Sequence, residues 1–153
     1  MRTRKLITIT AIIGSLALVG CLGGSGGSGG TGPSGYTTEL EGTWAFGDST
    51  FQSTWTFDDS SWTILEEYWF DQDTSLQYSG TFTLNTSTSP KQIDMLCTGS
   101  PYSDMLNKTA EGIYALNSTA TSCTLSIADF SDSEVRPSAF YLADFYTVVL
   151  QKR

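Results

Sequence analysis

From Leu40 to Leu150 the apolar residues keep returning at every second position, and this period restricts the fold more than any other feature. Phe51, Ser53, Trp55 and Phe57 alternate with Thr50, Gln52, Thr54 and Thr56. Leu40, Gly42, Trp44 and Phe46 share a parity, and so do Tyr78, Gly80, Phe82 and Leu84. Ile93, Met95 and Cys97 follow, then Ile113 with Ala115 or Tyr114 with Leu116, then Leu125 with Ile127, then Tyr146, Val148 and Leu150. Successive side chains of a strand point to opposite faces, so a period of two marks a sheet buried on one face. No helical period persists for long.

Turn-forming clusters separate these runs. They are Gly47-Asp48, Asp58-Asp59-Ser60, Asp71-Gln72-Asp73, Ser87 to Pro90, Asn117-Ser118 and Asp132-Ser133. The spacing predicts about eight strands, as in an all-β barrel or sandwich. The short turns favour neighbours that pair in up-and-down order. Two connections are longer. Thr98 to Ala110 is expected to be a loop with a helical turn around Asp104 to Asn107. Phe130 to Asp144, which contains Pro137, is expected to cover one end of the barrel.

An eight-stranded barrel is either filled by its own side chains or holds one small ligand. The inward parity gives the candidate pocket residues Trp44, Trp55, Phe57, Trp62, Tyr78 and Phe82, with Phe46 beside them. The short chain and bulky rings favour a filled or shallow interior. Trp62, Ile64 and Tyr68 share a parity that places Glu66 inward too. A slip of register would explain that, as would an open mouth or a polar anchor for a ligand.

Composition excludes several chemistries. The 153 residues include no histidine, which removes Ser-His-Asp and Cys-His nucleophile systems and the usual catalytic zinc sites. We expect no enzyme, catalytic residue, metal or cofactor. Asp71-Gln72-Asp73-Thr74-Ser75 begins like a calcium loop, but Leu76 stands where such a loop needs glycine and Phe82 where it needs an acid. Glu66 and Glu67 are adjacent on a strand, point to opposite faces and cannot flank one glycosidic bond. Asn85, Asn107 and Asn117 each open a glycosylation sequon and are read as surface loops. Cys97 and Cys123 form a candidate disulfide. Export favours the bridge, whereas a meander that puts them at opposite barrel ends opposes it.

The N-terminus reads as an address. Arg2, Arg4 and Lys5 precede an apolar run from Leu6 to Val19, the pattern of an export signal. Even extended to Leu22 the run has only 17 residues, Gly14 and Gly20 among them, and is shorter than the roughly 20 residues of a spanning helix. Leu22 to Gly35 is almost entirely Gly and Ser, too polar and small to fold, and behaves as a tether with a reach of roughly 20 Å. Without residues 1–20 the chain keeps five cations against 16 carboxylates, about −11 net. Such a surface opposes nucleic acid and anionic headgroups.

Leu18-Val19-Gly20-Cys21 resembles the lipobox of bacterial lipoproteins. The resemblance implies cleavage after Gly20, lipid (palmitate-like acyl chains) on Cys21, and a place in the bacterial cell envelope. Leu22 after the cysteine implies the outer membrane where the host has one. The domains are then residues 1–20 as signal peptide, 21–35 as lipidated cysteine and linker, and 36–153 as the barrel.

Gly42-Thr43-Trp44 resembles the Gly-x-Trp signature of lipocalins, in which a basic residue packs on the tryptophan. Arg136 is the first candidate for that cation, with Lys152 and Arg153 behind it. "PKQIDM" (Pro90 to Met95), "EGIYAL" (Glu111 to Leu116), "LSIADF" (Leu125 to Phe130), "RPSAF" (Arg136 to Phe140) and "VVLQKR" (Val148 to Arg153) resemble an uncharacterised lipocalin-like (calycin-type) family of exported bacterial proteins. The resemblance runs over residues 39–153 and implies a small eight-stranded up-and-down lipocalin-like barrel. The expected function is a membrane-tethered, non-enzymatic barrel that binds a small apolar or amphipathic ligand. The alternative is a structural or protein-interaction module of the envelope with a filled core.

Overall fold

A computed structural model describes residues 38–69, 74–131 and 135–153. The signal segment, Cys21, the linker and the acidic turn at 71–73 lie outside the described residues. The chain forms a closed antiparallel barrel of eight strands in sequence order. They are β1 (Gly42–Gly47), β2 (Phe51–Asp58), β3 (Ser61–Tyr68), β4 (Thr74–Asn85), β5 (Lys91–Gly99), β6 (Thr109–Leu116), β7 (Ser122–Ile127) and β8 (Tyr146–Lys152). β1 closes on β8 through Trp44 opposite Lys152 and Ala45 opposite Gln151. Closure leaves no exposed sheet edge, the usual hazard of an all-β domain.

The alternation becomes burial along each strand. In β2, Ser53, Trp55 and Phe57 are buried while Thr54 and Thr56 are only half covered. Trp55 pairs with Ile64 and Phe57 with Trp62 across β2–β3. Phe82 pairs with Met95, and Leu84 with Ile93, across β4–β5. The eight strands and the core cluster of the described residues lie within residues 38–153, which hold together as one compact unit. This portion therefore contains what it needs to fold alone.

The barrel has two unlike ends. At the first, residues 38–41 lie beside the β2–β3, β4–β5 and β6–β7 turns. Leu40 is buried there, and its carbonyl accepts the Trp44 indole N–H at 2.7 Å. Glu39 sits beside it. Lys91 Nζ donates to both of its carboxylate oxygens at 2.8 and 2.6 Å, and the Tyr114 hydroxyl donates to Oε1. Burial opposes charge on Glu39, but these donors and the Lys91 charge outweigh it and hold its pKa below the ordinary value. At the second end lie the β1–β2, β3–β4, β5–β6 and β7–β8 connections.

The expected turn around Asp104 to Asn107 is present as successive tight turns, with Met105 N–H to Tyr102 O, Leu106 N–H to Ser103 O and Lys108 N–H to Met105 O, and does not extend into a helix. The second long connection differs from expectation. Of the segment Phe130 to Asp144, Phe130 packs on the core against Trp62, whereas residues 135–145 lie along the outer wall. Arg136 bridges Asp94 and Glu111, which face each other across β5–β6, and its Nη1 reaches the carbonyls of Gly112 at 2.6 Å and Ile93 at 3.1 Å. Opposed carboxylates repel, so the guanidinium both relieves that repulsion and fixes the segment. Beneath it Pro137, Ile113 and Ser126 are buried outside the main core.

Candidate functional site

Five of the six candidate pocket residues are core. Trp44, Trp55, Phe57, Trp62 and Phe82 are between 0 and 4% exposed. Their polar atoms are satisfied internally: Trp55 Nε1 donates to Ser53 Oγ at 2.9 Å, and Trp62 Nε1 to Thr81 O at 3.0 Å. Phe57 packs edge-on against Phe82 at 5.1 Å, and Trp62 stacks on Phe130 at 5.7 Å. Packed rings with satisfied donors have no polar group left to orient a ligand.

The cation on Trp44 is Lys152, whose Nζ lies 5.1 Å from the ring centroid. Arg136 occupies the outer wall instead. The β1–β8 register explains the exchange, because it sets Lys152 directly opposite Trp44. Gly42 has φ +114°, and a Cβ there would sit 3.3 Å from Lys152 Cε. The Gly-x-Trp pattern thus has a local cause: the glycine adopts the backbone that side chains avoid and leaves room for the lysine.

Cys97 and Cys123 are both free and buried. Leu96 pairs with Thr109 at one end of β6, and Cys123 with Leu116 at the other. Seven residues of strand separate those levels, roughly 23 Å, so no bridge forms in this fold. Burial raises the pKa of both thiols, that of Cys123 to about 12, so neither is a reactive thiolate near neutral pH.

Tyr78, the sixth candidate, belongs to a different site at the second end. Glu66 is in register with Ser53 and Leu76, so its inward direction is genuine and no slip has occurred. The Tyr68 and Tyr78 hydroxyls donate to its Oε2 at 3.0 and 3.3 Å. Burial, then the Glu66 charge, raises the pKa of both tyrosines, that of Tyr68 to about 12. They remain protonated donors. Phe51 packs on Tyr68 at 4.9 Å and Phe46 on Tyr146 at 6.5 Å, while Tyr102 lies 6.4 Å from Tyr78. Tyr102 and Tyr146 keep 48 and 44% of their surface exposed. The result is a ring-lined mouth around one carboxylate of the described residues, with the buried Ser53 and Trp55 below it.

Alternation alone identified the inward direction of Glu66 and Tyr68. It missed Tyr102 and Tyr146 as neighbours of the site. Tyr102 comes from a loop, where parity carries no information.

At the first end an open groove of about 780 Å³ runs between Glu39, Ser60, Phe82, Leu84 and Lys91, where β4 extends beyond β3. Among the described residues, no group of three acidic or cysteine side chains could hold a metal ion, and no helix is long and apolar enough to cross a membrane. Comparison with protein-family models, curated proteins and solved structures finds no match to this chain.

Proposed function

We propose that this chain is a lipid-anchored, lipocalin-like lipoprotein of the bacterial cell envelope, without enzymatic activity. It binds a small amphipathic ligand at the mouth of its barrel, not deep inside it. The mouth carries this proposal: aromatic rings with exposed faces surround Glu66, the single inward carboxylate there among the described residues, above a packed floor. Binding sites pair apolar walls with a few placed polar groups, and the mouth has that composition. The lipobox-like Leu18 to Cys21 and the Gly/Ser linker support the anchor. Two or more acyl chains hold a protein stably at a membrane where one does not.

The second reading is a protein-interaction module. Val135, Tyr141 and Leu142 favour it, since they stand exposed on the outer segment at 74, 71 and 38%. A pull-down that recovers one defined partner, lost when these three are changed to Ser, would select it.

The anchor is tested in a bacterium that expresses the full chain and is fed radiolabelled palmitate. The wild type is expected to incorporate label and sediment with membranes. Cys21→Ser is expected to lose all label and keep its signal segment. Equal labelling of both proteins would remove the anchor.

A further inference from the structure

We propose that the mouth selects an organic cation, an alkyl- or arylammonium group seated against Glu66 and the surrounding rings. This deepens the binding function proposed above and rests on it. Three other partly buried carboxylates of the barrel lie against cations. Glu39 is neutralised by Lys91, and Asp94 and Glu111 share Arg136. Among the described residues Glu66 has no such partner; Glu67 beside it has none either, but it lies on the opposite, outer face of β3. Among the described residues its only hydrogen bonds come from two neutral phenols, and both go to Oε2. Oε1 accepts from none. The one enclosed polar atom that lacks a partner among the described residues is Thr38 Oγ1, so Glu66 Oε1 meets solvent.

A half-buried carboxylate without a cation is costly. An inward carboxylate held by two hydroxyls and by no cation departs from the usual pairing of enclosed charges, and such departures are where function is expected. The two tyrosines add direction. By occupying Oε2 they hold the carboxylate in one orientation and leave Oε1 toward the mouth. The rings supply the rest of the complement, since the face of an aromatic ring attracts a cation and alkyl groups on nitrogen pack on it. An anionic ligand would meet the Glu66 charge at close range. A neutral ligand would leave the Glu66 charge desolvated without a counter-charge. The acidity of the whole domain, about −11, draws cations toward it.

The test uses residues 36–153, which hold the complete barrel, and three probes with the same tail: hexyltrimethylammonium, hexanol and hexanoate. Binding is read by calorimetry and by amide shifts of Glu66, Tyr68 and Tyr78, with wild type and Glu66→Gln, and the melting temperature of each is recorded. Hexyltrimethylammonium is expected to bind the wild type, through charge pairing with Glu66 and contact with the ring faces, at least about tenfold more tightly than either other probe. Glu66→Gln is expected to lose that preference while melting no lower than wild type, because it removes an unpaired charge and leaves an acceptor for the tyrosines. If hexanol or hexanoate binds the mouth as well as the cation does, the cation inference fails and the binding site stands. If no probe shifts the mouth, both fail. If Glu66→Gln melts lower and binds the cation unchanged, Glu66 is structural and the inference fails.

Discussion

Trp44→Ala is expected to destabilise the barrel by about 3–5 kcal/mol, the range for truncating a fully buried large aromatic. Three observations place this residue at the top of that range. Its side chain is 0% exposed and belongs to the central cluster. Its indole N–H carries one of the bonds that tie residues 38–41 to the first end. Its ring also supports Lys152 across the β1–β8 seam. That seam is the shortest in the barrel, with two paired positions against six between β1 and β2. Domains of this size are stable by only about 5–15 kcal/mol, so one substitution removes a large share of the total. Urea unfolding of residues 36–153 measures it. Trp44→Phe, which keeps most of the apolar volume, is expected to lose less than half as much. Equal losses for the two variants would mean that packing volume is not what Trp44 contributes.

Gly80→Ala is the second large effect. A Cβ at Gly80 would lie 1.8 Å from the Leu96 carbonyl oxygen and 2.9 Å from Trp62 Cε2. Gly80 pairs with Trp62 on one side and Cys97 on the other, and the β4–β5 register shifts between Ser79 and Gly80. The Trp62 indole occupies the space a side chain would take, so glycine and tryptophan are fitted to each other at the irregularity. Overpacking a well-filled core costs about 1–3 kcal/mol when side chains can yield. Here the closest atom is backbone, and the ladder itself must move, so a loss above about 3 kcal/mol is expected. Gly99→Ala is the comparison. Its Cβ would meet the Ser79 hydroxyl at 2.4 Å, and a hydroxyl can rotate away. A loss at Gly99 equal to that at Gly80 would contradict this account of the bulge.

Strands and faces were legible because alternation is a local property. Phe51, Ser53, Trp55 and Phe57 announced β2 and its buried side without any long-range information. What the alternation could not carry was which distant residue meets which. Lys152 and Arg136 are both cations late in the chain, and only the closure of β1 on β8 decides that Lys152 lies on Trp44. Arg136 goes elsewhere because Asp94 and Glu111 become neighbours through the β5–β6 pairing, a juxtaposition seventeen residues apart in sequence. The same pairing draws residues 135–145 along the wall and away from the end. Glu66 was visible as an inward acid, but its significance depended on the absence of a cation and on two hydroxyls from different strands. Cys97 and Cys123 were balanced on sequence grounds, and the length of β6 between their levels separates them.

The central claim is that the interior is filled and the ligand is taken above it. The four tryptophans report on this separately. Trp44, Trp55 and Trp62 are buried, with their indole N–H groups bonded to Leu40 O, Ser53 Oγ and Thr81 O, whereas Trp69 follows β3 and is 45% exposed. The decisive measurement follows the four indole N–H resonances while hexyltrimethylammonium is added to saturation. The three buried indoles are expected to hold their positions while the amides of Glu66, Tyr68 and Tyr78 move. Movement of the Trp44, Trp55 and Trp62 indoles, with Glu66 unchanged, would place the ligand inside the barrel and contradict the account.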